Sequence, residues 1–287
     1  MTRYPLARGL AAMLALPAWA GVPPPHLDSE GQAEYREFIK APEHRAFAIA
    51  PGGAFGWVAE KGARDEAEAE ALARCQANTK QKCVPYAVDR RTVFDARRWP
   101  KLWGPYVTAE QARRAPAGRE VGQRFPDLAF VAASGGKSNV GALRGKVAIL
   151  HFWGSWCGPC RREMPDLQKL YERIRGRRDV ALVLLQTRER FDVSRRWAAG
   201  QGIGLPLYDS GSNGEADDRF RLSDGGNIRD REIAARFPTT YVLDRHGVVV
   251  FSHVGPVHDW RQYEAFILDV AARSSLPLPR PRPLPSR

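Results

Sequence analysis

The sequence predicts an α/β fold, a mixed central sheet flanked by helices, preceded by a small α+β accessory domain. Three observations carry this. Lys146–Trp153 and Val180–Leu185 are apolar runs too short for full helices, and a helical stretch from Pro159 to Ile174 lies between them, so the order strand, helix, strand marks a parallel βαβ unit. Thr240–Leu243 and Val248–Phe251 flank Asp244-Arg245-His246-Gly247, a turn-rich tetrad between β-branched runs, hence an antiparallel hairpin. At 287 residues, with 44% hydrophobic and 26% charged positions, the chain is long enough for two units of ordinary globular composition.

Taken in order, the elements begin with an expected signal peptide over residues 1–20. Arg3 and Arg8 precede the apolar stretch Gly9–Leu16, and Ala18-Trp19-Ala20 offers small residues for cleavage after Ala20. The alternative is an uncleaved anchor, but Gly9–Val22 falls short of the ~20 apolar residues that cross a bilayer. A periplasmic location follows as the expectation. Residues 21–30, with Pro23-Pro24-Pro25, read as a short leader rather than core. In residues 21–98, Ala46–Ala50 and Gly56–Ala59 read as strands around Pro51-Gly52-Gly53, Asp65–Asn78 as an Ala- and Glu-rich helix, and Val84–Val88 as a strand.

Four cysteines occur, and in an oxidising compartment two pairs by proximity is the simplest arithmetic. Cys75 ends the first helix and Cys83 precedes the next strand. A bond closing that short loop stabilises by roughly 2.5 kcal/mol in the chain-entropy model, so it reads as a structural disulfide; a second redox pair is the alternative. Residues 99–118, rich in Pro, Gly, Arg and Ala, are the expected linker, 119–274 the second domain, closed by a helix over Trp260–Ala271, and 275–287 a disordered Pro/Arg tail.

The net charge of +12 ordinarily suggests nucleic acid. Here the arginines are dispersed and no nucleic-acid module is present, so a solvated surface is the reading, with attraction to anionic lipid or an acidic partner left open. Asp209-Ser210-Gly211-Ser212-Asn213-Gly214 resembles the start of a calcium loop, but its third position is Gly211 and its twelfth Phe220, so no metal site is assigned. The polar stretch to Asp230 reads instead as an insertion at the rim of the site.

The chemistry concentrates in Phe152-Trp153-Gly154-Ser155-Trp156-Cys157-Gly158-Pro159-Cys160-Arg161-Arg162-Glu163-Met164-Pro165. At a helix N-terminus, unpaired N–H groups and the macrodipole favour the Cys157 thiolate, while Cys160 sits one turn in, within reach of a mixed disulfide. Lowering a thiol pKa from ~8.5 to ~7 raises its thiolate fraction at pH 7 from ~3% to ~50%. Nucleophilicity falls in parallel, leaving roughly a threefold rate gain, so proximity of the second thiol matters as much as activation of the first. Arg161 and Arg162 are expected to raise the local potential around the dithiol; two solvated helix charges are the alternative.

Trp156-Cys157-Gly158-Pro159-Cys160 resembles the thioredoxin superfamily signature. Its flanks resemble the exported TlpA, ResA and DsbE branch: Val121-Gly122-Gln123-Arg124-Phe125-Pro126-Asp127 as entry segment, Leu143-Arg144-Gly145-Lys146 before the central strand, Glu163-Met164-Pro165 after the second cysteine. The resemblance covers about Val121–Arg273. It implies a thioredoxin fold and a thiol-disulfide oxidoreductase in which Cys157 attacks, Cys160 resolves and Glu163 handles the proton. It also implies a cis Pro238, and a docking surface for an extended substrate chain formed by Trp156, Gly158, Pro159, Phe237 and Pro238.

His151 stands where cytoplasmic thioredoxins carry a buried aspartate; it is expected as a hydrogen-bonded core residue rather than a catalyst. The alternative for Glu163 is an exposed glutamate stabilising the first helical turn. Further implications are reduction of exported proteins, cytochrome c maturation as one role, disulfide-bearing protein substrates, and a membrane electron donor of the DsbD or CcdA type. No cofactor and no nucleic acid are implied, and weak contact with an anionic membrane surface stays open. An oxidase or isomerase is the nearest alternative, and a metal-delivery protein using the C-x-x-C pair the alternative from another class.

Overall fold

A computed structural model describes residues 22–273 except 80, 105 and 215–217. The expected signal peptide and the Pro/Arg tail lie outside the described residues.

The chain opens with α1 (Ser29–Lys40), whose first turn is capped by Asp28 accepting from Gly31 N. Four strands follow, β1 (Ala46–Ile49), β2 (Phe55–Val58), β3 (Val84–Val88) and β4 (Arg91–Thr92), with α2 (Arg64–Ala77) inserted after β2. They form an antiparallel sheet in the order β2-β1-β3-β4. α2 lies directly on this sheet because Gly56 carries no side chain: a Cβ there would come 2.3 Å from Cys75 N and 2.7 Å from Ala71 O. Cys75 and Cys83 are joined by a disulfide that ties α2 to the approach of β3.

Residues 99–118, expected as the linker, are built into the structure. They hold a 3₁₀ turn (Trp99–Leu102) and α3 (Ala109–Arg114), the latter closed by a reciprocal Thr108–Gln111 capping box. Trp99 and Trp103 are buried, and the Trp103 ring packs on Phe266. Burying a tryptophan is worth on the order of 4 kcal/mol, which outweighs the local breaking tendency of Pro100 and Gly104. The leader reading of residues 21–30 is likewise corrected: His26 and Leu27 are core residues, and the His26 ring stacks on Tyr263 at 4.2 Å.

The second unit contains β5 (Ala129–Ala132), β6 (Lys137–Asn139), β7 (Val147–Trp153), α4 (Gly158–Ile174), β8 (Val180–Gln186), α5 (Phe191–Gly200) and β9 (Leu207–Asp209). There follow the hairpin β10 (Arg219–Arg221) and β11 (Asn227–Arg229), α6 (Asp230–Ile233), β12 (Thr239–Leu243) and β13 (Val249–Val254), and finally a 3₁₀ turn (Trp260–Tyr263) leading into α7 (Glu264–Arg273). The seven-stranded sheet runs β13-β12-β7-β8-β9-β5-β6. β7, β8 and β9 are parallel; β12 runs antiparallel to both β7 and β13, and β5 antiparallel to β9. This is the mixed sheet with flanking helices of the thioredoxin fold.

Every residue of β7 is buried, as a central strand covered on both faces requires. Alternation divides it. Val147, Ile149 and Trp153 enter one core with Cys160, Met164, Leu167 and Leu170 of α4, and Ala148, Leu150 and Phe152 enter the other with Phe125, Phe220 and Tyr241. The first core also contains Leu27, Tyr35, Phe38, Phe47, Tyr86, Trp99 and Trp103, so the N-terminal sheet and the α4 face of the second unit share one apolar cluster.

Candidate active site

β7 ends at Trp153, and the chain turns through Gly154-Ser155-Trp156 into α4. Gly154 leaves room there for the indole, since a Cβ would lie 2.3 Å from Trp156 Nε1 and displace it. Cys157 is the N-cap of α4 and Pro159 occupies its first turn, where a missing N–H costs nothing. Cys157 and Cys160 form a disulfide with Cα atoms 5.2 Å apart, and Cys160 N donates to Cys157 Sγ at 3.2 Å. Cys160 is fully buried; Cys157 is 4% exposed and lies beneath Trp156, which is 47% exposed. Gly158 and Pro159 are half-buried beside them.

The Phe237–Pro238 peptide bond is cis. Thr239 pairs with Phe152, so Pro238 lies level with the end of β7 where the active-site turn begins. Phe237 meets Trp156 edge to face at 5.5 Å. The structure thus gathers Trp156, Cys157, Gly158, Pro159, Cys160, Phe237 and Pro238 at one end of the sheet.

Glu163 lies one turn beyond Cys160. It is buried, which removes the alternative of an exposed first-turn glutamate. Its Oε2 accepts from Val257 N at 2.8 Å, and its Oε1 stands 3.1 Å from His151 Nε2, out of line for a hydrogen bond. Register explains the meeting: His151 shares the β7 face of Ile149 and Trp153, the face that α4 covers. The other ring nitrogen, Nδ1, is 2.9 Å from Thr240 Oγ1. His253, paired with Thr240 on β13, is held below the ordinary imidazole range by burial, an effect the Glu163 carboxylate opposes. A buried string Glu163–His151–Thr240 therefore begins one helical turn beyond Cys160.

Three residues at the end of β8 hold the active-site turn and carry no sequence motif. Thr187 N and Oγ1 both donate to Trp153 O, and Thr187 O accepts from Trp156 Nε1 at 2.8 Å. Glu189, buried, accepts from Ser155 N at 2.6 Å, from Ser155 Oγ at 2.5 Å and from Ser194 Oγ at 2.6 Å. Arg188, between them, lies over Phe237 with its guanidinium carbon 4.8 Å from the ring centre. It binds the 209–230 excursion: its N donates to Asp218 and its Nε to Asp230. Asp209 accepts from Gln186 and Gly211, and Asp218 from Ser212, so these carboxylates of the excursion are engaged by protein donors. Among the described residues no group of three His, Cys, Asp or Glu side chains could hold a metal ion, and no helix is long and apolar enough to cross a membrane.

Comparison with known proteins supports the same centre. The redoxin family model matches residues 120–267. The chain is 30% identical to the thioredoxin-like protein YneN of Bacillus subtilis over 154 residues, 53% of this chain and 81% of that protein. It is 29% identical to the thiol-disulfide oxidoreductase ResA of Halalkalibacterium halodurans over 113 residues, 39% of this chain and 56% of that protein. Among solved structures, a thiol:disulfide interchange protein of the thioredoxin family from Chlorobium tepidum aligns at 25% identity over 52% of this chain and 97% of its own, with a TM-score of 0.39. StoA from Bacillus subtilis aligns at 20% identity over 50% and 98%, with a TM-score of 0.37. The matched span contains the dithiol, the cis proline and Glu163. The chain belongs to the redoxin family.

Proposed function

We propose that this thiol-disulfide oxidoreductase works as a reductase of disulfides in exported proteins. The observation that carries the reading is the Cys157–Cys160 pair at the start of α4, with Glu163 buried one turn further and the cis Phe237–Pro238 bond level with the end of β7. In the reduced protein, the Cys157 thiolate attacks one sulfur of a substrate disulfide, forming a mixed disulfide and expelling the other substrate sulfur as a thiolate. Cys160, deprotonated, then attacks Cys157 Sγ; the mixed disulfide breaks, the second substrate thiolate leaves, and the Cys157–Cys160 disulfide forms. Two electrons pass to the substrate. Glu163 takes the Cys160 proton, and Trp156, Gly158, Pro159, Phe237 and Pro238 hold the substrate backbone beside Cys157.

Export follows from the apolar N-terminal segment with cleavage after Ala20, into the periplasm. A membrane dithiol donor of the DsbD or CcdA type returns the electrons, and apocytochrome thiols in cytochrome c maturation are the product class that the family resemblance favours. Residues 21–98 act as an accessory unit braced by the structural Cys75–Cys83 bond. Cys160→Ser tests the assignment of roles: it is expected to accumulate a mixed disulfide with a model disulfide protein through Cys157, whereas Cys157→Ser forms none. A trap that forms through Cys160 instead would reverse the two thiols.

A further inference from the structure

Several arginines lie close to the dithiol turn. Arg161 and Arg162 follow Cys160 directly and are exposed, and Arg236 is exposed beside Phe237. A Cβ at Gly158 would come 3.5 Å from Arg162 Nη1, which puts that guanidinium next to the dithiol turn. Among the described residues, none of these three arginines forms an ion pair. Four described carboxylates nearby are engaged within the protein: Glu163 toward Val257 and His151, Glu189 onto Ser155 and Ser194, Asp218 and Asp230 onto Arg188.

Arg188 is the most constrained member of the set. Its φ of 56° is left-handed, a conformation that a non-glycine residue keeps only where its surroundings over-determine it. Asp218 fixes its backbone, and Asp230 takes its Nε at 2.5 Å. Its guanidinium carbon lies 4.8 Å from the Phe237 ring centre and 6.0 Å from that of Trp156, within cation–π range of both. The side chain remains 31% exposed, and its two Nη groups donate to no other described residue. A planar guanidinium whose Nη groups engage no described residue, lying over the aromatic pair beside the dithiol, is built to take a carboxylate.

We propose that this face selects substrate segments carrying carboxylates next to their disulfide, and that Arg188 is the specificity-determining residue, held in place by the 209–230 excursion. The proposal rests on the reductase reading and adds its substrate class. An extended acidic segment lying across Trp156 and Phe237 would place side chains within reach of Arg188, with Arg162 beside Gly158 and Arg236 next to Phe237 adding to the attraction. Attraction of this kind acts mainly on encounter and orientation, so it belongs in kcat/KM and weakens with salt.

The test compares two synthetic peptides with one internal disulfide each, identical except for Glu or Lys residues flanking the cysteines, as substrates of the pre-reduced full chain. The Glu peptide is expected to show a kcat/KM about tenfold higher at low ionic strength, with the preference collapsing at high ionic strength. Arg188→Gln is expected to remove about two thirds of that preference, and Arg188→Lys to restore part of it. Arg162→Gln, at an exposed helical position, shifts the preference in the same direction and serves if Arg188→Gln does not fold. Equal kcat/KM for the two peptides with the wild-type chain, or full preference retained in both Gln variants, overturns the charge selection alone. Turnover of neither peptide overturns the reductase reading beneath it.

Discussion

At the scale of single residues, the proposed mechanism has proton and electron transfer meet at Glu163. It is buried with one oxygen on a backbone N–H and the other beside His151, so it is held rigidly one turn from Cys160. Glu163→Gln keeps the shape and the Val257 contact but cannot accept a proton. The resolving step is expected to slow by about a hundredfold near neutral pH and to recover as pH rises and the Cys160 thiol ionises unaided. Rapid mixing with thiol trapping measures it, and an unchanged pH–rate profile would remove Glu163 from the mechanism. Cys157, Cys160 and Glu163 were legible because their spacing is local: four residues make a redox turn and three more reach the next helical turn. The clamp of Thr187, Arg188 and Glu189 was not legible, because all but one of its hydrogen bonds join residues thirty or more positions apart and no spacing records such a meeting. His151 was legible as a hydrogen-bonded core residue, yet its facing of Glu163 depends on which side of β7 α4 covers.

At the scale of elements, the longest and most regular segments were the easiest to place. Val84–Val88 is found as expected, β7 and β8 shift by one residue at an end, and α4 begins one residue earlier because Cys157 serves as its cap. The closing helix differs more. Its first turn is 3₁₀, with Trp260 and Tyr263 buried, and the α-helix starts at Glu264. Short strands of three or four residues, such as β5, β6, β9, β10 and β11, carry too little alternation to be read, and they exist because partner strands supply their hydrogen bonds. The contact of α2 with β2 through Gly56 yields a test at this scale. Gly56→Ala would drive a methyl group into the Cys75 amide and the Ala71 carbonyl, neither of which can yield without moving the helix. A loss of about 1–3 kcal/mol of stability is expected by urea unfolding; a loss below 0.5 kcal/mol would mean that α2 is not seated on the sheet in this way.

At the scale of the whole molecule, the two units share a core, and the expected linker is part of the joint. Proline and glycine at 100, 104 and 105 signalled a boundary, but Trp103 between them is driven inward and fills the seam against Phe251, Tyr263 and Phe266, with Trp99 packed edge-on against it. His26 sits in the same seam, its N donating to Gln262 and its Nδ1 accepting from Gly52. Burial pushes its pKa down to about 3 from an ordinary 6.5, so the folded chain keeps it neutral while the unfolded chain protonates it. The stability this contributes is present above about pH 6.5 and is lost as pH falls toward 3, at up to about 1.4 kcal/mol per pH unit. His26→Phe keeps a ring against Tyr263 and removes the proton. Its stability between about pH 6 and 4 is expected to fall less steeply than that of the wild-type chain, and parallel slopes would exclude His26 as the source. The most direct test of the central claim is the redox potential of the Cys157–Cys160 pair, equilibrated against dithiothreitol or glutathione and read by thiol trapping in a Cys75→Ser, Cys83→Ser background. A reversible two-electron couple near thioredoxin's value of about −270 mV is the result predicted for a reductase. A value near −120 mV, about 7 kcal/mol less reducing, would make the protein an oxidant instead, and the absence of any reversible couple would contradict the account altogether.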